Sequence, residues 1–258
     1  MKKIFSAIAL LLALASCAGG GSDYTISGVI DGAIDGDSVQ LGYSMDGINF
    51  TTVQATTIEG GKFQFSGKVD GSKIYYIGYN YTDPPLYSLL FLEGGNITTE
   101  ISPAGSATVG TPSNDLNAEI EEHLAQYVNT IYDCQMLLYS DTLLPDTTKA
   151  ALSLRTMEAQ RDASLYIKDI INNNISSIVG LYLLVQYADL FDNNEFDILM
   201  ASIPQENIDR DNNCLYDILC EMQSERRTQP LNEETPEQQI EQALEQALQG
   251  AMDTASEE

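Results

Sequence analysis

Between residues 24 and 110, apolar and polar side chains alternate in short runs that end at glycine-containing turns. The turns include Asp31-Gly32, Asp35-Gly36 and Glu59-Gly60-Gly61. An alternation with a period of two is typical of strands that bury one face, and glycine adopts the positive φ that tight turns require. Turns at this regular spacing are typical of an antiparallel sandwich or barrel. We therefore predict an antiparallel β-sandwich domain over residues 24–110.

From Thr111 the apolar residues recur at steps of three and four, which indicates helices. Residues 112–115 (Pro-Ser-Asn-Asp) form a helix start with polar caps and an acidic first turn. The apolar stripe of this first helix consists of Leu116, Ile120, Leu124, Tyr127, Val128, Ile131, Met136 and Leu138. Further helices are predicted over residues 148–171 (ending at Asn172, Asn173 and Asn174), 177–191, 194–201 and 213–227, of which 177–191 is the most apolar. The fold class is thus α+β, with a helical region over 111–227 that follows the sandwich.

The last segment, residues 228–258, carries eight acidic residues and no basic one. Thr235-Pro236 is a helix start signal, and Ile240, Leu244 and Leu248 form a narrow apolar stripe behind it. A single helix of this length is marginal in water. We expect an acidic tail with an amphipathic helix that stays mobile until a partner covers the stripe; docking on its own domain is the alternative.

The first seventeen residues have the layout of a secretory signal. Lys2 and Lys3 precede an uncharged apolar run over residues 4–14, and residues 14–17 read Leu-Ala-Ser-Cys. This segment resembles the bacterial lipoprotein signal, which implies that residues 1–16 are removed and that Cys17 becomes the lipid-bearing N-terminus. Residues 17–23 would then form a flexible tether. The alternative is a plain signal peptide with an incidental cysteine.

Charge restricts the possible partners. The chain has a formal net charge of −26, and removal of residues 1–16, which hold two lysines and no acid, leaves −28. So acidic a protein does not offer the Lys/Arg surface that nucleic acids require, and anionic lipids repel it. We expect no nucleic-acid binding, and membrane contact through the N-terminal lipid alone. The predicted location is the outer membrane of the cell envelope. The sequence does not distinguish the periplasmic face of that membrane from the cell-surface face.

Candidate chemistry is sparse. After Cys17, the thiols of Cys134, Cys214 and Cys220 show no C-x-x-C spacing, and we predict that they are buried and inert. The only histidine is His123, and the sequence contains no G-x-S-x-G motif whose serine nucleophile it would activate as a base. We interpret His123 as solvated on a charged helix face. We therefore predict no catalytic residues, no metal site and no cofactor.

Two polar or aromatic clusters admit a binding interpretation. Asp31, Asp35 and Asp37 offer oxygen ligands for Ca²⁺, but two β-turns explain them as well and we favour the turns. The strand with Tyr75, Tyr76, Tyr79 and Tyr81 would provide an aromatic platform for a glycan or peptide; the alternative is that tyrosine simply favours strands.

Modification is also predicted. Asp141-Thr142-Leu143 and Asp146-Thr147-Thr148 resemble the acceptor tripeptide for O-linked glycans in Bacteroidetes-type envelopes, so Thr142 and Thr147 are candidate sites. Both are predicted to lie in a loop around Pro145, where an acceptor would be reachable.

Four segments, residues 24–32, 61–69, 91–98 and 110–115, together are similar to a domain of unknown function. That domain is found at the N-terminus of Bacteroidetes-type envelope lipoproteins, often ahead of a thioredoxin- or peroxiredoxin-like domain. The resemblance covers about residues 24–120, and this chain lacks tryptophan and the Trp-Cys-x-x-Cys of the redox domain. The resemblance implies the accessory half of such a protein without the catalytic half. Together with the sparse candidate chemistry, this favours a non-catalytic binding module for a protein, peptide or glycan. The alternative is an accessory factor of envelope thiol-redox or peroxide metabolism without its own redox centre.

Overall fold

The computed structural model describes residues 22–44, 50–69, 71, 73–140, 143–205 and 215–228, together with positions 240 and 242. Its eight strands are β1 (Ser22–Ile30), β2 (Ser38–Ser44), β3 (Phe50–Thr57), β4 (Phe63–Val69), β5 (Lys73–Tyr79), β6 (Leu86–Leu92), β7 (Gly95–Ser102) and β8 (Gly105–Val109). Its helices are α1 (Pro112–Ser140), α2 (Asp146–Asn174), α3 (Ile178–Gln186), α4 (Asn193–Ser202) and α5 (Leu215–Thr228), and a 3₁₀ turn spans Ala188–Leu190.

The strands form two four-stranded sheets, which confirms the α+β prediction with its β-rich first half. Sheet A has the order β4-β1-β7-β8 and sheet B the order β3-β2-β5-β6. All pairings are antiparallel except that of β1 with β7, where Ile26 lies opposite Ile97 in a parallel register. The expected purely antiparallel sandwich is therefore corrected at this one pair.

The sandwich core lies between the two sheets and follows the alternation predicted from sequence. In β1, Tyr24, Ile26 and Ile30 point inward, while Ser27 and Val29 face solvent. The other buried members of this core are Val39, Leu41, Ile58, Phe63, Phe65, Val69, Ile77, Tyr79, Leu90, Leu92, Ile97 and Ile101. Burial of apolar side chains on one face of each strand supplies the main stabilisation here.

A third layer covers part of the outer face of sheet B. Ile74 of β5 and Phe91 of β6 point away from the sandwich core and pack with the buried residues of α2, α3, α4 and α5 in a second hydrophobic cluster. The halves of β5 and β6 around Ile74 and Phe91 are therefore covered on both faces, which explains the nearly continuous apolar run over residues 89–92.

Asn114 ties the helical layer to the sheet. Its Oδ1 accepts from the backbone N–H of Phe91 at 2.9 Å, and its Nδ2 donates to the Phe91 carbonyl at 2.8 Å. Beside it, the Glu93 carboxylate accepts from the Ser113 N–H and hydroxyl at 2.8 and 3.0 Å. The polar start of α1 is thus a joint between sheet B and the helices, and not only the cap that the sequence predicts.

The helices differ from prediction in two places. α2 continues through Asn172 and Asn174, because their side-chain amides donate to the carbonyls of Lys168 and Ile170 one turn earlier. In α1, Ile120 and Cys134 are buried, whereas Val128 and Met136 of the predicted stripe are exposed. α3 is the most buried helix, as predicted, and the described helices include none that is both long enough and apolar enough to cross a bilayer.

Candidate functional site

The outer face of sheet B that the helices leave bare carries a pair of aromatic side chains. Phe50 of β3 and Tyr87 of β6 approach each other across the sheet, with ring centroids 5.9 Å apart and planes tilted by 49°. Tyr87, on the edge strand β6, is 50% exposed, and Phe50 is partly buried beside it. A half-exposed ring next to a second ring on a sheet is a surface suited to stacking against a ligand.

Glycine provides the floor beneath these rings. A Cβ at Gly42 of β2 would lie 2.7 Å from the Phe50 ring, and one at Gly78 of β5 would lie 3.2 Å from the Tyr87 ring. Because both positions lack a side chain, the rings lie directly over the backbone of the two central strands. We call Phe50 and Tyr87, with Gly42 and Gly78 beneath them, the aromatic platform.

Two carboxamide side chains flank the aromatic platform. Gln40 pairs with Gly78 in the sheet, and its Oε1 accepts from the Thr52 hydroxyl at 3.1 Å. Asn80 follows β5, and its Oδ1 accepts from the Tyr87 hydroxyl at 3.3 Å. Within the described residues the NH₂ groups of Gln40 and Asn80 have no hydrogen-bond partner, so both remain available as donors.

The aromatic platform is also electrically neutral, in contrast to the rest of the molecule. Lys73 is the only charged residue in the four strands of sheet B. On sheet A, by comparison, Asp23 and Lys68 form an ion pair at 3.5 Å and Glu100 lies on β7. In a chain with a net charge of −26, an uncharged sheet surface is a distinctive feature.

The tyrosines that the sequence nominated as a platform do not form one. Tyr75 lies on the inner side of β5, with its ring 5.8 Å from that of Tyr43, and Tyr76 packs against the helical cluster. Tyr79 is 2% exposed, and only Tyr81 is largely exposed. The alternative, that tyrosine simply favours strands, therefore describes Tyr75, Tyr76 and Tyr79, because alternation in β5 sends them to opposite faces that are both covered there.

Tyr79 and the aspartates of the β1–β2 loop hold the turns at the end of the sandwich opposite Ser22. The Tyr79 hydroxyl donates to Asp37 at 2.5 Å, and burial with this bond raises the pKa of Tyr79 to about 12. Asp35 accepts the N–H groups of Gly61 and Gly60 at 2.9 and 3.0 Å, which lowers the pKa of its carboxyl. These contacts support the turn interpretation over calcium; within the described residues no three His, Cys, Asp or Glu side chains form a group able to hold a metal.

His123 lies in the seam between α1 and α2 and is not the solvated residue that we expected. Its ring stacks on Tyr166 with centroids 4.1 Å apart, and its Nε2 is 3.2 Å from the Tyr127 hydroxyl. Burial, followed by the charge of nearby Glu119, raises the pKa of Tyr166. Only aromatic partners surround the histidine in these contacts, so its role here is packing.

Some of the remaining predicted site residues lie within the described residues and others lie outside them. Cys134 is buried on α1, as predicted, and Cys220 is half-buried on α5. Thr147 is exposed, but in the first turn of α2 and not in a loop, because that helix begins at Asp146. Cys17, Thr142 and Cys214 lie outside the described residues.

Sequence reasoning missed Phe50, Tyr87, Gly42 and Gly78 as a group. Each stands in a different strand, and only the register brings them together, with Gly78 opposite Tyr87 and Phe50 opposite Ser44 near Gly42. A usable signal existed in the two glycines inside apolar strands, since a glycine in a strand interior often marks the close approach of another group.

Comparison with known proteins assigns part of the chain. Residues 24–117 match the family model described as a domain of unknown function, DUF4369, and no curated protein matches the chain. The match covers both sheets and the first turns of α1, and so it includes the joint formed by Glu93, Ser113 and Asn114. It supports an N-terminal domain of unknown function, DUF4369, over residues 24–117 of this protein.

Proposed function

We propose that this protein is a lipid-anchored lipoprotein of the cell envelope that acts as a non-catalytic binding module. The observation that carries the proposal is the aromatic platform, whose Tyr87 ring is half-exposed, whose strands carry no charge near the rings, and which is supported from below by a packed sheet. A surface whose side chains are already ordered loses little conformational entropy when it binds a ligand. The structure thus has the properties of a preformed binding surface.

The proposed anchor is Cys17, which lies a few residues before the first strand. β1 begins at Ser22, so a lipid on Cys17 would hold that end of the sandwich within about 15 Å of the bilayer by the reach of a short flexible linker. Tyr87 lies next to the start of β6, at the opposite end of the sandwich from Ser22. This arrangement supports a ligand-binding surface that is presented away from the membrane.

The alternative function, an accessory of envelope thiol-redox or peroxide metabolism, rests on the sequence resemblance. The described thiols, Cys134 and Cys220, stand on α1 and α5. If the alternative were correct in its strongest form, the isolated protein would reduce insulin through one of Cys134, Cys214 or Cys220. We expect no such activity, because the sequence has no C-x-x-C pair and an attacking thiol needs a resolving partner to complete the exchange.

Anchoring is tested by Cys17→Ala in the native host. The variant should leave the membrane fraction and lose labelling by a radioactive or alkyne-bearing fatty acid. Acyl labelling that persists in the variant would contradict the proposed anchor.

Binding is tested with the full mature chain carrying Cys17→Ser, which has no lipid. It should co-sediment with washed envelope fragments of the host, and Tyr87→Ala in the same chain should reduce that co-sedimentation. Tyr132→Ala is the matched control, since it removes an exposed tyrosine from α1, outside the aromatic platform. Equal co-sedimentation of all three proteins would contradict a binding function for this surface.

A further inference from the structure

We infer that the aromatic platform binds neutral carbohydrate chains. This inference rests on the proposed binding function and names the chemical class of the ligand. It is argued from three properties of the surface: the stacking face offered by Phe50 and Tyr87, the free amide donors of Gln40 and Asn80, and the absence of charge from the strands around them.

The first argument concerns shape. A pyranose ring has a flat face made of C–H groups, which carry a small positive charge, and the face of an aromatic ring carries a complementary negative one. Tyr87 offers a half-exposed ring, and Phe50 offers a second ring 5.9 Å away. Because Gly42 and Gly78 place no side chain between the strands, a ligand can lie along the sheet in contact with both rings.

The second argument concerns hydrogen bonds. Sugar hydroxyls both donate and accept, and carboxamides match them because they carry both functions on one rigid group. The Gln40 and Asn80 amides are held through their oxygens by Thr52 and Tyr87, which leaves their NH₂ groups as donors to a ligand. A buried salt bridge or cationic side chain, which an acidic ligand would need, is absent from these described contacts.

The third argument concerns charge. The protein has 38 acidic residues against 12 basic ones, so it repels anionic polymers at long range. A neutral polysaccharide is not repelled by this charge. A neutral ligand is therefore favoured over acidic glycans and nucleic acids.

A polypeptide is a weaker candidate for this surface. Extended peptides gain affinity mainly by adding a strand to a sheet edge, where backbone groups are free. The aromatic platform lies instead on the face of the sheet, over the central strands β2 and β5, whose backbones are already paired on both sides. Rings on a sheet face suit a ligand that stacks.

The test is affinity electrophoresis of the full mature chain carrying Cys17→Ser. Native gels contain amylopectin, yeast mannan, barley β-glucan or guar galactomannan, with polygalacturonate as the anionic comparison. At least one neutral polysaccharide should retard the protein, and polygalacturonate should not. Tyr87→Ala and Phe50→Ala should each weaken the retarding interaction by about tenfold or more, which is the loss expected for one stacking contact.

Matched variants separate stacking from folding. Tyr87→Phe keeps the ring and should retain binding within about threefold, since it loses only the hydroxyl contact to Asn80. Tyr132→Ala should bind like the parent chain. Gln40→Ala should also weaken binding, and it serves as the second test if Tyr87→Ala does not show a cooperative thermal transition.

Four results would overturn the inference. Three of them are no retardation by any of the four neutral polysaccharides, unchanged retardation in both folded alanine variants, and equal retardation by polygalacturonate. Selection of a displayed random decapeptide that needs Tyr87, without polysaccharide binding, would also overturn it while leaving the proposed binding function intact. The two proposals therefore fail in distinguishable ways.

Discussion

The outer face of sheet B is used differently at its two ends. At one end, Ile74 and Phe91 lie under the helices and contribute to a shared hydrophobic cluster. At the other, Tyr87 of the same strand as Phe91 is 50% exposed, and the Phe50 ring reaches it from the edge strand β3, with the ring centroids 5.9 Å apart. The contrast shows that an apolar position in a strand does not by itself indicate core; its role depends on whether another layer reaches it.

The strongest test of this contrast compares Phe91→Ala with Tyr87→Ala. Phe91 is fully buried, so its truncation should lower the free energy of unfolding by about 3–5 kcal/mol. Tyr87 is half-exposed, and its truncation should cost about 1 kcal/mol. Urea denaturation followed by circular dichroism measures both, and similar losses at the two sites would remove the distinction between a covered and a bare end.

A second change breaks the joint between sheet and helices. Asn114→Ala leaves the buried N–H and carbonyl of Phe91 without their partners, which should lower the free energy of unfolding by about 2 kcal/mol or more. Asn117→Ala is the matched control, because that side chain makes an exposed bond to Glu121 on the same helix. Equal stability of the two variants would show that the joint is not important for stability.

Titration with base identifies the buried tyrosines Tyr79 and Tyr182. Burial is the main cause that raises the pKa of both Tyr79 and Tyr182 to about 12. Since these pKa values exceed the value near 10 of an unfolded chain, the stabilisation from both groups is complete below pH 10 and declines as pH rises from 10 through 12. Absorbance at 295 nm should therefore show at least two tyrosines that stay protonated at pH 11. The Tyr79→Phe variant should show one such tyrosine fewer. Complete ionisation of all tyrosines below pH 11 in the folded protein would contradict this prediction.

The smallest expected effect comes from the tail. Leu215 and Leu219 of α5 are the last buried members of the helical cluster within the described residues. Truncation after Thr228 should change the melting temperature by only a few degrees, because a weakly docked helix contributes about 1 kcal/mol. A much larger drop, measured by calorimetry, would place the tail in the core.

Much of the fold follows from local sequence. The alternation in β1 and the period of α3 identify a sandwich followed by helices, because burial on one face imposes these periods on the sequence. The end of α2 was missed because three consecutive asparagines are typical of a helix break, whereas the amides of two of them, Asn172 and Asn174, donate to carbonyls of the preceding turn. These side-chain hydrogen bonds require the preceding helical turn to be in place, so a local sequence pattern does not reveal them.

The candidate site was not predictable in the same way. The sequence drew attention to clustered tyrosines, but Tyr75 and Tyr79 belong to the sandwich core. The aromatic platform depends on strand register, which brings Gly78 opposite Tyr87, and on the position of the helices, which leaves that end bare. Both are long-range properties that a local pattern does not encode.

Tyrosine footprinting tests the central claim most directly. The full mature chain carrying Cys17→Ser is treated with tetranitromethane, with and without the polysaccharide that retards it most, and nitration at each tyrosine is quantified by mass spectrometry. We predict that the polysaccharide protects Tyr87 from nitration, while Tyr139, which is 84% exposed on α1, reacts as before. Protection of Tyr139 with no change at Tyr87 would contradict the assignment of the aromatic platform as the binding surface.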